Sequence, residues 1–574
     1  MAKWFVYAKK ADFKAIGEAY GIDQVIARVI RNRDICTKEQ FDMYLSDSLE
    51  GMHMPELLKD ADKAVDIIIN KIEQKKKIRI IGDYDIDGIC STTILYKALK
   101  ETGAEVDYAV PHRINDGYGI NETLIDAAIA DGVDTILTCD NGIAAINQVE
   151  YAKSHNLTVI ITDHHDITFE ENATQKRYIY PKADAIVNPK RDDCGYPFKM
   201  LCGAAVAYKL VEVLYKKRWL SEYDKYKSSL DEYRQFAAIA TIGDVVDLID
   251  ENRILVKNGL RSIANTKNIG LRALIDICKI DINKLTPHSV GFVIGPCLNA
   301  SGRLDTAKNA IELFLETDKN TAKSKAMELY AFNEERKGMT ESELSKALKI
   351  IDETEIKNDK VLVIYLPECH ESIAGIIAGR IKELYYRPTF VITDAKDGAK
   401  GSGRSIEGYN MFEEITKCAG LLTKFGGHPM AAGISLDKDK IDEFRKTLNK
   451  KQTLTEQQLE PVVWIDVPMP LNYVTYTLVE QLSILEPFGK GNEKPVFADK
   501  DLIVKSVNII GKKSNVLKLM LEAQDGSVFE AIQFMYDGNK PQVGQKIAIT
   551  YYPDINEFRG KRNLQFIIKE WKQN

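Results

Sequence analysis

Short apolar segments alternate with helix-like segments between residues 56 and 265, and this alternation constrains the fold more strongly than any other feature of the chain. The apolar segments have the length and the flanking turns of strands, at residues 77–81, 106–110, 135–139, 158–162 and 185–187. The segments between them repeat apolar residues every three or four positions, at residues 89–100, 122–130 and 143–154. Because strands that alternate with helices form parallel sheets covered by helices, the sequence predicts an α/β domain.

The rest of the chain divides by the same criteria. The first α/β domain is predicted to span residues 56–304, after an N-terminal segment, residues 1–55, that has no predicted role. Residues 305–355 are rich in helix-forming residues and contain no Pro, which predicts a helical connector. A second α/β pattern with a glycine-rich centre covers residues 356–460. Short strands with alternating polarity in residues 461–574 predict a small β-barrel.

Composition indicates a globular protein: 45% of the 574 residues are hydrophobic and 28% are charged. No apolar run approaches the roughly 18 residues of a membrane span, and the N-terminus has no secretory pattern. We therefore expect a cytoplasmic protein without a membrane partner. The nine cysteines include no Cys-x-x-Cys pair, so we expect most to be reduced and buried. A net charge of −6 argues against a protein that coats nucleic acid by charge alone.

Three aspartates at alternate positions, Asp83, Asp85 and Asp87, follow the first predicted strand and precede a helix. Alternate positions of an extended segment point the same way, so these carboxylates can converge. Clustered carboxylates repel one another and have raised pKa values unless a hard cation such as Mg²⁺ or Mn²⁺ neutralises them. Taken alone, the segment has an alternative interpretation as an acidic turn at a helix N-terminus.

Acidic and imidazole side chains also follow two further strands and one apolar helical segment. They are Asp140, then Asp163, His164, His165 and Asp166, and finally Asp244 and Asp247. Together with the aspartates after the first strand, these side chains form four groups. Ligands of open parallel sheets collect beyond the carboxyl ends of the strands, and three of the four groups lie there. Mixed carboxylate and imidazole ligation suits two Mn²⁺ or Mg²⁺ ions that clamp the attacking and leaving oxygens of a phosphoryl transfer. The chain contains no Gly-x-x-x-x-Gly-Lys-Ser/Thr loop, so nucleoside triphosphate hydrolysis is not indicated.

In order and spacing, these groups resemble the four metal motifs of the DHH phosphoesterase superfamily. The motifs are Asp83-Tyr-Asp85-Ile-Asp87-Gly, Asp140-Asn-Gly, Asp163-His-His and Gly243-Asp-Val-Val-Asp247. Gly-Gly-His-Pro-Met-Ala-Ala-Gly at 426–433 resembles the glycine-rich signature of the DHH-associated domain. Two further segments resemble the RecJ-like exonucleases of that superfamily: Gly-Pro-Cys-Leu-Asn-Ala-Ser-Gly-Arg at 295–303, and the entry to an oligonucleotide-binding (OB) domain at 485–497. Together the resemblance covers nearly all of the chain after residue 55.

The resemblance implies a role for each matched residue. The metal ligands would be Asp83, Asp85, Asp140, His164 and Asp244. The catalytic residues beside them would be His165, Asp166 and Asp87. Substrate would be bound by Asn299, Arg303, Ser372, Arg404, Gly427 and His428. RecJ-like chains often carry a basic residue where this chain has Cys297, and that residue type would help to hold a terminal phosphate, so dependence on a 5′-phosphate stays open.

The function that the resemblance implies is metal-dependent hydrolysis of single-stranded DNA to mononucleotides from a 5′ end, in recombination and repair. The candidate partners are a helicase and a single-strand-binding protein. Two alternatives share the metal motifs: a phosphodiesterase of short RNA or cyclic dinucleotides, and a non-enzymatic replication scaffold. The separate barrel disfavours the first alternative, and acids at all four motifs disfavour the second.

Aromatic and basic residues interleave near the end of the predicted barrel. They are Tyr551, Tyr552, Phe558 and Phe566 with Arg559, Lys561, Arg562 and Lys569. Such a surface can stack bases and follow a phosphate backbone. Aromatic residues in a small barrel more often fill its core, so both interpretations stay open.

Overall fold

The computed structural model describes residues 2–113, 116–172, 175–219, 226–511, 514–536, 538–558 and 560–573. The chain separates into two compact units. The larger unit is Asp47–Leu459, and the smaller unit combines Met1–Ser46 with Glu460–Asn574. Across the described ranges, no helix has both the length and the apolar character that a bilayer crossing requires.

The N-terminal segment up to Ser46 forms one strand and short helices and belongs to the smaller unit, whereas its residues from Asp47 onward belong to the larger unit. Its elements are β1 (Lys3–Val6), α1 (Phe13–Tyr20), α2 (Gln24–Asn32) and α3 (Lys38–Leu45). Each of these helices begins at a polar residue, Asp12, Asp23 or Thr37, whose side chain accepts a backbone N–H of the first turn. Such caps satisfy donors that a helix leaves unpaired at its start.

The first lobe of the larger unit is a parallel sheet with helices on its faces. Its elements are α4 (Ala61–Glu73), β2 (Ile78–Ile81), α5 (Ile86–Glu101), β3 (Val106–Ala109), α6 (Glu122–Ala130), β4 (Thr135–Cys139), α7 (Ile146–Ser154), β5 (Thr158–Thr162), β6 (Phe169–Asn172), β7 (Gln175–Tyr178) and β8 (Ala185–Val187). The strand order is β3-β2-β4-β5-β8, and neighbouring strands run parallel. Every residue of β2 and β4 is buried, as strands covered on both faces require. The predicted α/β domain is confirmed.

A helical region follows the sheet and ends in one long helix. Its elements are α8 (Gly203–Arg218), α9 (Lys227–Gly243), α10 (Asp250–Ile263), α11 (Ile269–Ile277), α12 (Pro287–Ser289), α13 (Gly295–Leu304), α14 (Lys308–Leu315) and α15 (Lys319–Glu353). Residues Val290–Ile294 between α12 and α13 wind as a π-helix. Helix α15 has 35 residues, which corresponds to a length of about 52 Å. The helices predicted between residues 305 and 355 are confirmed.

The second lobe of the larger unit is a mixed sheet with helices. Its elements are β9 (Leu362–Tyr365), α16 (Glu371–Tyr385), β10 (Thr389–Ala395), β11 (Gly398–Arg404), α17 (Met411–Thr416), β12 (Lys424–His428), β13 (Ala431–Leu436) and α18 (Ile441–Lys451). The strand order is β12-β13-β11-β10-β9, and only the pair β9 and β10 is parallel within the described sheet. The glycine-rich segments therefore lie on adjacent antiparallel strands, β11, β12 and β13.

The smaller unit contains the predicted barrel. Its elements after residue 460 are β14 (Val462–Ile465), β15 (Val467–Pro468), α19 (Tyr476–Gln481), β16 (Phe497–Ile510), β17 (Val516–Glu522), β18 (Val528–Phe534), β19 (Lys546–Phe558) and β20 (Lys561–Gln573). The strand order is β15-β16-β17-β18-β20-β19, and a second pairing of β16 with β19 closes the sheet. The β-barrel prediction is confirmed.

The N-terminal segment completes this smaller unit. Strand β1 pairs in parallel with β14, and apolar residues of α2 such as Ile26 and Val29 share one hydrophobic core with the barrel. The Arg33 guanidinium donates to Asn492 Oδ1 at 2.7 Å, and it pairs with the Asp466 carboxylate at 3.4 Å. The part of this segment up to Ser46 is thus a structural part of the barrel unit.

The barrel aromatics divide between the two interpretations. Tyr551 and Phe566 are buried core residues, at 1% and 0% exposure. Tyr552 is partly buried, and the Lys494 ammonium lies 3.7 Å from its ring centre. The Phe558 side chain and Arg559 lie outside the described residues. The stacking hypothesis therefore does not apply to Tyr551 or Phe566.

Candidate metal centre and substrate cavity

In the loop after β2, the carboxylates of Asp85 and Asp87 accept backbone N–H groups from two different helices. Asp85 caps helix α5, because its Oδ1 accepts the N–H groups of Asp87 at 2.9 Å and Gly88 at 3.2 Å. The Asp87 carboxylate accepts the N–H groups of Gly203 at 2.6 Å and Ala204 at 2.7 Å, at the start of helix α8. Asp87 therefore joins the N-termini of two helices, where backbone N–H groups favour negative charge.

Glycine at position 88 is a steric requirement of this loop. A Cβ atom at Gly88 would lie 2.4 Å from the Asp83 carbonyl oxygen, so any side chain would push the loop away from α5. The close approach holds the fully buried Asp83 beside Asp85. The sequence motif Asp-x-Asp-x-Asp-Gly therefore encodes a tight turn as well as three charges.

Asp140 follows β4 in a left-handed backbone conformation, with φ of 60°. Asp and Asn adopt this conformation more readily than most residues. The Asp140 side chain is buried, and a Cβ atom at Gly203 would lie 2.7 Å from its Cβ. The Tyr118 hydroxyl donates to the Asp140 carbonyl at 2.6 Å. The backbone thus directs this carboxylate toward the neighbouring strand ends.

In the Asp163-His164-His165 segment after β5, the three side chains make different contacts. The Asp163 carboxylate accepts the Ile143 N–H at 2.9 Å and contacts His165 Nδ1 at 2.8 Å. Burial opposes ionisation of Asp163, but the hydrogen bond and charge of His165 outweigh it and lower the pKa of Asp163 to about 2. Asp163 therefore holds His165 in place, while His164 Nε2 points to Asp140 Oδ1 at 3.1 Å.

The candidate ligand atoms converge in three overlapping groups, and within each group they lie no more than 4.8 Å apart. The groups are Asp83, Asp85 and Asp140; Asp140, His164 and His165; and Asp87, His164 and Asp244. Asp140 and His164 each belong to two groups. Every residue assigned to the metal from the sequence is therefore brought into the cluster, together with Asp87 and His165.

The electrostatics of this cluster fit a bound cation. Burial, and then repulsion from neighbouring carboxylates, raises the pKa of Asp83, Asp85 and Asp140, and raises that of Asp244 to about 8. Asp83 Oδ2, Asp140 Oδ1 and His164 Nε2 are buried and have no hydrogen-bond partner among the described residues. Buried polar atoms are normally paired, so these atoms match the donor set of a divalent ion.

Asp166 does not join the cluster. Its side chain is 73% exposed, and its Oδ1 pairs with Lys190 Nζ at 3.0 Å. The chain turns after His165, so Asp166 points away from the strand ends although it is adjacent in sequence. Its assignment as a catalytic residue receives no support from its position.

A cavity of about 440 Å³ lies beside the N-terminus of α16. Its walls combine cationic side chains with glycine-rich backbone: Arg113, Glu371, Ser372, Ala374, Thr393, Lys400, Gly401, Ser402, Lys424, Phe425, Gly426, Gly433, Ile434 and Ser435. The predicted Ser372 lines the cavity. Gly427 and His428 lie on β12 just beyond Gly426, with His428 exposed, so the structure places them next to the cavity wall.

Helix α13 links this cavity to the acidic loop. Asn299 Oδ1 accepts the Ile86 N–H at 2.7 Å at the start of α5, and Arg303 Nη1 donates to the Ser372 carbonyl at 2.6 Å. Asn299 therefore positions the loop, whereas Arg303 joins the two lobes. The sequence assigned both residues to the substrate, and the structure gives Asn299 a supporting contact with protein.

Several guanidinium groups crowd around Arg303. Burial, followed by the charges of Arg113, Arg336 and Arg404, lowers the pKa of Arg303 to about 9. The Arg404 side chain lies against Gly375, where an added Cβ would come within 2.6 Å of Arg404 Nη2. Partly buried positive charges that repel one another provide a site that an anion stabilises.

Sequence reasoning missed Tyr118, Arg113 and Arg336. Tyr118 and Arg113 lie between β3 and α6, beyond the carboxyl end of a parallel strand, and this position is the signal that could have identified them. Arg336 lies inside α15, where its Nη2 donates to Asn333 Oδ1 at 2.9 Å. Nothing in the helical pattern distinguishes Arg336 from an exposed arginine.

The parallel sheet with its acidic rim and the glycine-rich second lobe define a phosphoesterase of the DHH class. Residues 77–241 match the family model described as the DHH family N-terminal domain, and residues 358–453 match the DHHA1 domain. Residues 465–570 match the RecJ OB domain. With this domain combination and the relative described next, the chain belongs to the RecJ family.

The single-stranded-DNA-specific exonuclease RecJ of Bacillus subtilis is 33% identical over 577 residues, which cover 99% of this chain and 70% of that protein. The crystal structure of Thermus thermophilus RecJ in complex with Mn²⁺ superposes with a TM-score of 0.82 at 25% identity, covering 100% of this chain and 80% of that one. The Mg²⁺ complex of the same protein gives a TM-score of 0.77 at 25% identity, with 100% and 78% covered.

Proposed function

We propose that this chain is a metal-dependent exonuclease that hydrolyses single-stranded DNA from the 5′ end. One observation carries the proposal: buried ligand atoms of Asp83, Asp140 and His164, without a hydrogen-bond partner among the described residues, lie at the strand ends of a lobe that α13 joins to a cavity with cationic walls. The relatives named above support it, since the Bacillus protein is named as a single-stranded-DNA-specific exonuclease and the Thermus protein was crystallised in complex with Mn²⁺ and with Mg²⁺.

The donor sets suit two divalent ions. Asp83, Asp85 and Asp140 would hold one ion, and Asp87, His164 and Asp244 would hold the other. Asp140 would stand between them, because its carboxylate also lies 3.1 Å from His164 Nε2. Ions bound there would supply an activated water and neutralise charge that develops on the phosphoryl oxygens.

His165 would act on the scissile phosphate. Burial lowers its pKa, but the hydrogen bond and charge of Asp163 outweigh burial and raise it to about 9. Asp163 therefore favours the protonated form of His165, and 41% of the His165 side chain is exposed toward solvent. An imidazolium held by Asp163 can donate to a phosphate oxygen and stabilise negative charge there.

Arg303, Arg404 and Arg113 would hold the phosphates of the strand. A strand that enters between these guanidiniums relieves the repulsion that lowers the pKa of Arg303. A guanidinium binds a phosphate through two parallel N–H donors, which fixes the scissile bond relative to the carboxylates. Entry from the 5′ end, release of mononucleotides, and a role in recombination and repair are inferred from the RecJ family.

The proposal extends to a cytoplasmic location and to a helicase and a single-strand-binding protein as partners. These parts rest on family resemblance alone. They can be tested by affinity capture of the tagged chain from the cytoplasm of its native host, with the Asp140→Asn variant used to trap substrate complexes. If neither a helicase nor a single-strand-binding protein is recovered, the proposed partners are contradicted and the catalytic proposal is unaffected.

The decisive assay compares end-labelled single-stranded DNA, single-stranded RNA, blunt duplex DNA and a cyclic dinucleotide, each with Mn²⁺, Mg²⁺ or chelator. We expect fast cleavage of single-stranded DNA with metal and none with chelator. Cleavage of only the cyclic dinucleotide or short RNA would establish the alternative phosphodiesterase. If no substrate is cleaved with Mn²⁺, with Mg²⁺ or with chelator, the result favours the scaffold alternative.

The polarity needs a separate substrate. A strand whose 5′ end is closed in a stable hairpin should resist degradation, whereas a strand with a hairpin at the 3′ end should be shortened from its open 5′ end. Equal rates on the two substrates would refute the polarity and leave the metal centre unaffected.

A further inference from the structure

Two cysteines outside the metal centre lie in contact. Cys278 Sγ is 3.8 Å from Cys297 Sγ. Cys278 is the residue at the C-terminal end of α11, and Cys297 lies in the first turn of α13. Neither thiol has a part in the proposed hydrolysis.

The surroundings of the pair distinguish the two thiols. Cys278 is half-buried, whereas Cys297 is completely buried and also contacts Asn333 Nδ2 at 3.5 Å. The hydrogen bond from Cys297 and the charge of Lys337 outweigh burial and lower the pKa of Cys278. Thiolates react with peroxides and thiols do not, so the accessible Cys278 is the sulfur that an oxidant meets first.

We propose that Cys278 and Cys297 form a reversible intramolecular disulfide when the protein meets a hydroperoxide. The Cys278 thiolate attacks the distal peroxide oxygen, the O–O bond breaks, and the leaving hydroxide or alkoxide takes a proton, which leaves a sulfenic acid on Cys278. The Cys297 sulfur then attacks the Cys278 sulfur; the S–O bond breaks, an S–S bond forms, and the hydroxyl group leaves as water with the Cys297 proton. The peroxide is reduced, and the two thiols together supply its two electrons.

Formation of this bond must bring the two sulfur atoms closer together. A disulfide needs a sulfur–sulfur distance of about 2.05 Å, so the two sulfurs must approach by about 1.8 Å from their separation of 3.8 Å. Part of that movement is a rotamer change, and the rest is transferred to the helices, because the surrounding core is tightly packed.

Helix α13 transmits the movement to the acidic loop. Asn299, two residues after Cys297, holds the Ile86 N–H at 2.7 Å, and a Cβ atom at Gly302 would lie 2.4 Å from the Tyr84 carbonyl oxygen. Arg303 on the same helix donates to the Ser372 carbonyl. A shift of α13 therefore displaces the loop that carries Asp83 and Asp85. Misplacement of catalytic groups by about 1 Å can lower turnover on the order of 100-fold, so we expect a 10- to 100-fold loss on oxidation.

The test treats the reduced full-length chain with hydrogen peroxide, blocks free thiols, and maps the peptides by mass spectrometry before and after a dithiol reductant. The same samples are assayed on single-stranded DNA; this arm rests on the proposed exonuclease, whereas the peptide map does not. Cys278→Ser removes the reactive thiol. Cys36→Ser is the matched control, because Cys36 is exposed but belongs to the other unit.

We expect a peptide pair joined through Cys278 and Cys297 that has lost two hydrogen atoms, with activity that falls and returns on reduction. Cys36→Ser should behave like the wild type, and Cys278→Ser should keep its activity in peroxide. A map that shows Cys278 oxidised to a sulfinic acid without a cross-link would overturn the disulfide. A cross-link that leaves turnover unchanged would overturn the coupling through α13. If no variant cleaves DNA in either state, the exonuclease proposal fails, and the peptide map still decides whether the disulfide forms.

Discussion

Replacement of Asp140 by Asn should make the metal-free protein more stable while it removes activity. The ligand atoms of Asp83, Asp85 and Asp140 lie within 4.8 Å of one another. Two unit charges at that distance repel by about 3.5 kcal/mol at an effective dielectric constant of 20. Proton uptake by carboxyl groups with raised pKa values relieves part of this repulsion, so we expect Asp140→Asn to stabilise the metal-free larger unit by about 1–3 kcal/mol. Asn also tolerates the φ of 60° at this position.

The assay measures the melting temperature of wild type and Asp140→Asn in chelator and in saturating Mn²⁺, together with turnover on single-stranded DNA. In chelator the variant should melt a few degrees higher. Mn²⁺ at 100 times its dissociation constant should stabilise the wild type by about 2.7 kcal/mol, and the variant by much less. Turnover should fall more than about 100-fold, since loss of groups that only support a metal ligand already costs 10- to 100-fold.

The control for this prediction is Asp126→Asn, since Asp126 is exposed and its carboxylate accepts a hydrogen bond from the Tyr151 hydroxyl at 2.8 Å. It should match the wild type in metal response and turnover. The reasoning is refuted if Asp140→Asn melts lower than the wild type in chelator and keeps the full Mn²⁺ shift, because the carboxylate would then be neither repelled by its neighbours nor a ligand.

Three further predictions follow from the same structure. The pKa of Asp244 is raised from 3.8 to about 8, so the folded metal-free protein binds the Asp244 proton more tightly than the unfolded chain does. The stability gained by Asp244→Asn in chelator should therefore grow as pH rises from about 4 to about 8. A gain that does not change with pH in chemical denaturation would contradict this prediction. Arg404→Ala should raise KM and lower kcat together in steady-state assays, and a change in KM alone would show that Arg404 does not act in the transition state. Deletion of residues 461–574 alone should expose Ile26 and Val29 and so cause aggregation. A chain of residues 47–459 should instead stay monomeric in size-exclusion chromatography, cleave short oligonucleotides and lose affinity for long strands. Aggregation of the 47–459 chain would refute the division into two units.

The strands and the acidic groups at their ends could be predicted from sequence because both are local properties. The run at residues 135–139, Thr-Ile-Leu-Thr-Cys, contains no charged residue and is buried throughout, as a strand covered on both faces requires. Asp83, Asp140 and His164 come after such strands, and parallel strands place their carboxyl ends on one edge. The nearness of these candidate ligands therefore follows from strand connectivity, whereas Asp244, at the end of helix α9, joins them through tertiary packing.

The direction of each side chain could not be predicted in this way. Asp163 and Asp166 are both acidic and stand close together in sequence, yet Asp163 is buried against His165 while Asp166 is exposed beside Lys190. Which of them faces the cluster depends on how the chain turns after β5, and that turn is fixed by packing. Arg336 is a similar case, because a helix surface becomes part of a site only when other elements pack against it.

The sequence by itself determined the α/β lobes, the barrel and the set of candidate ligands, since apolar periodicity and motif spacing are written along the chain. Only the tertiary structure decided that residues 1–46 complete the barrel unit, that Asn299 supports the acidic loop, and that Cys278 meets Cys297. These contacts join residues far apart in sequence, or on separate helices whose register depends on the whole core. Their energy comes from burial and close packing, which no local pattern records.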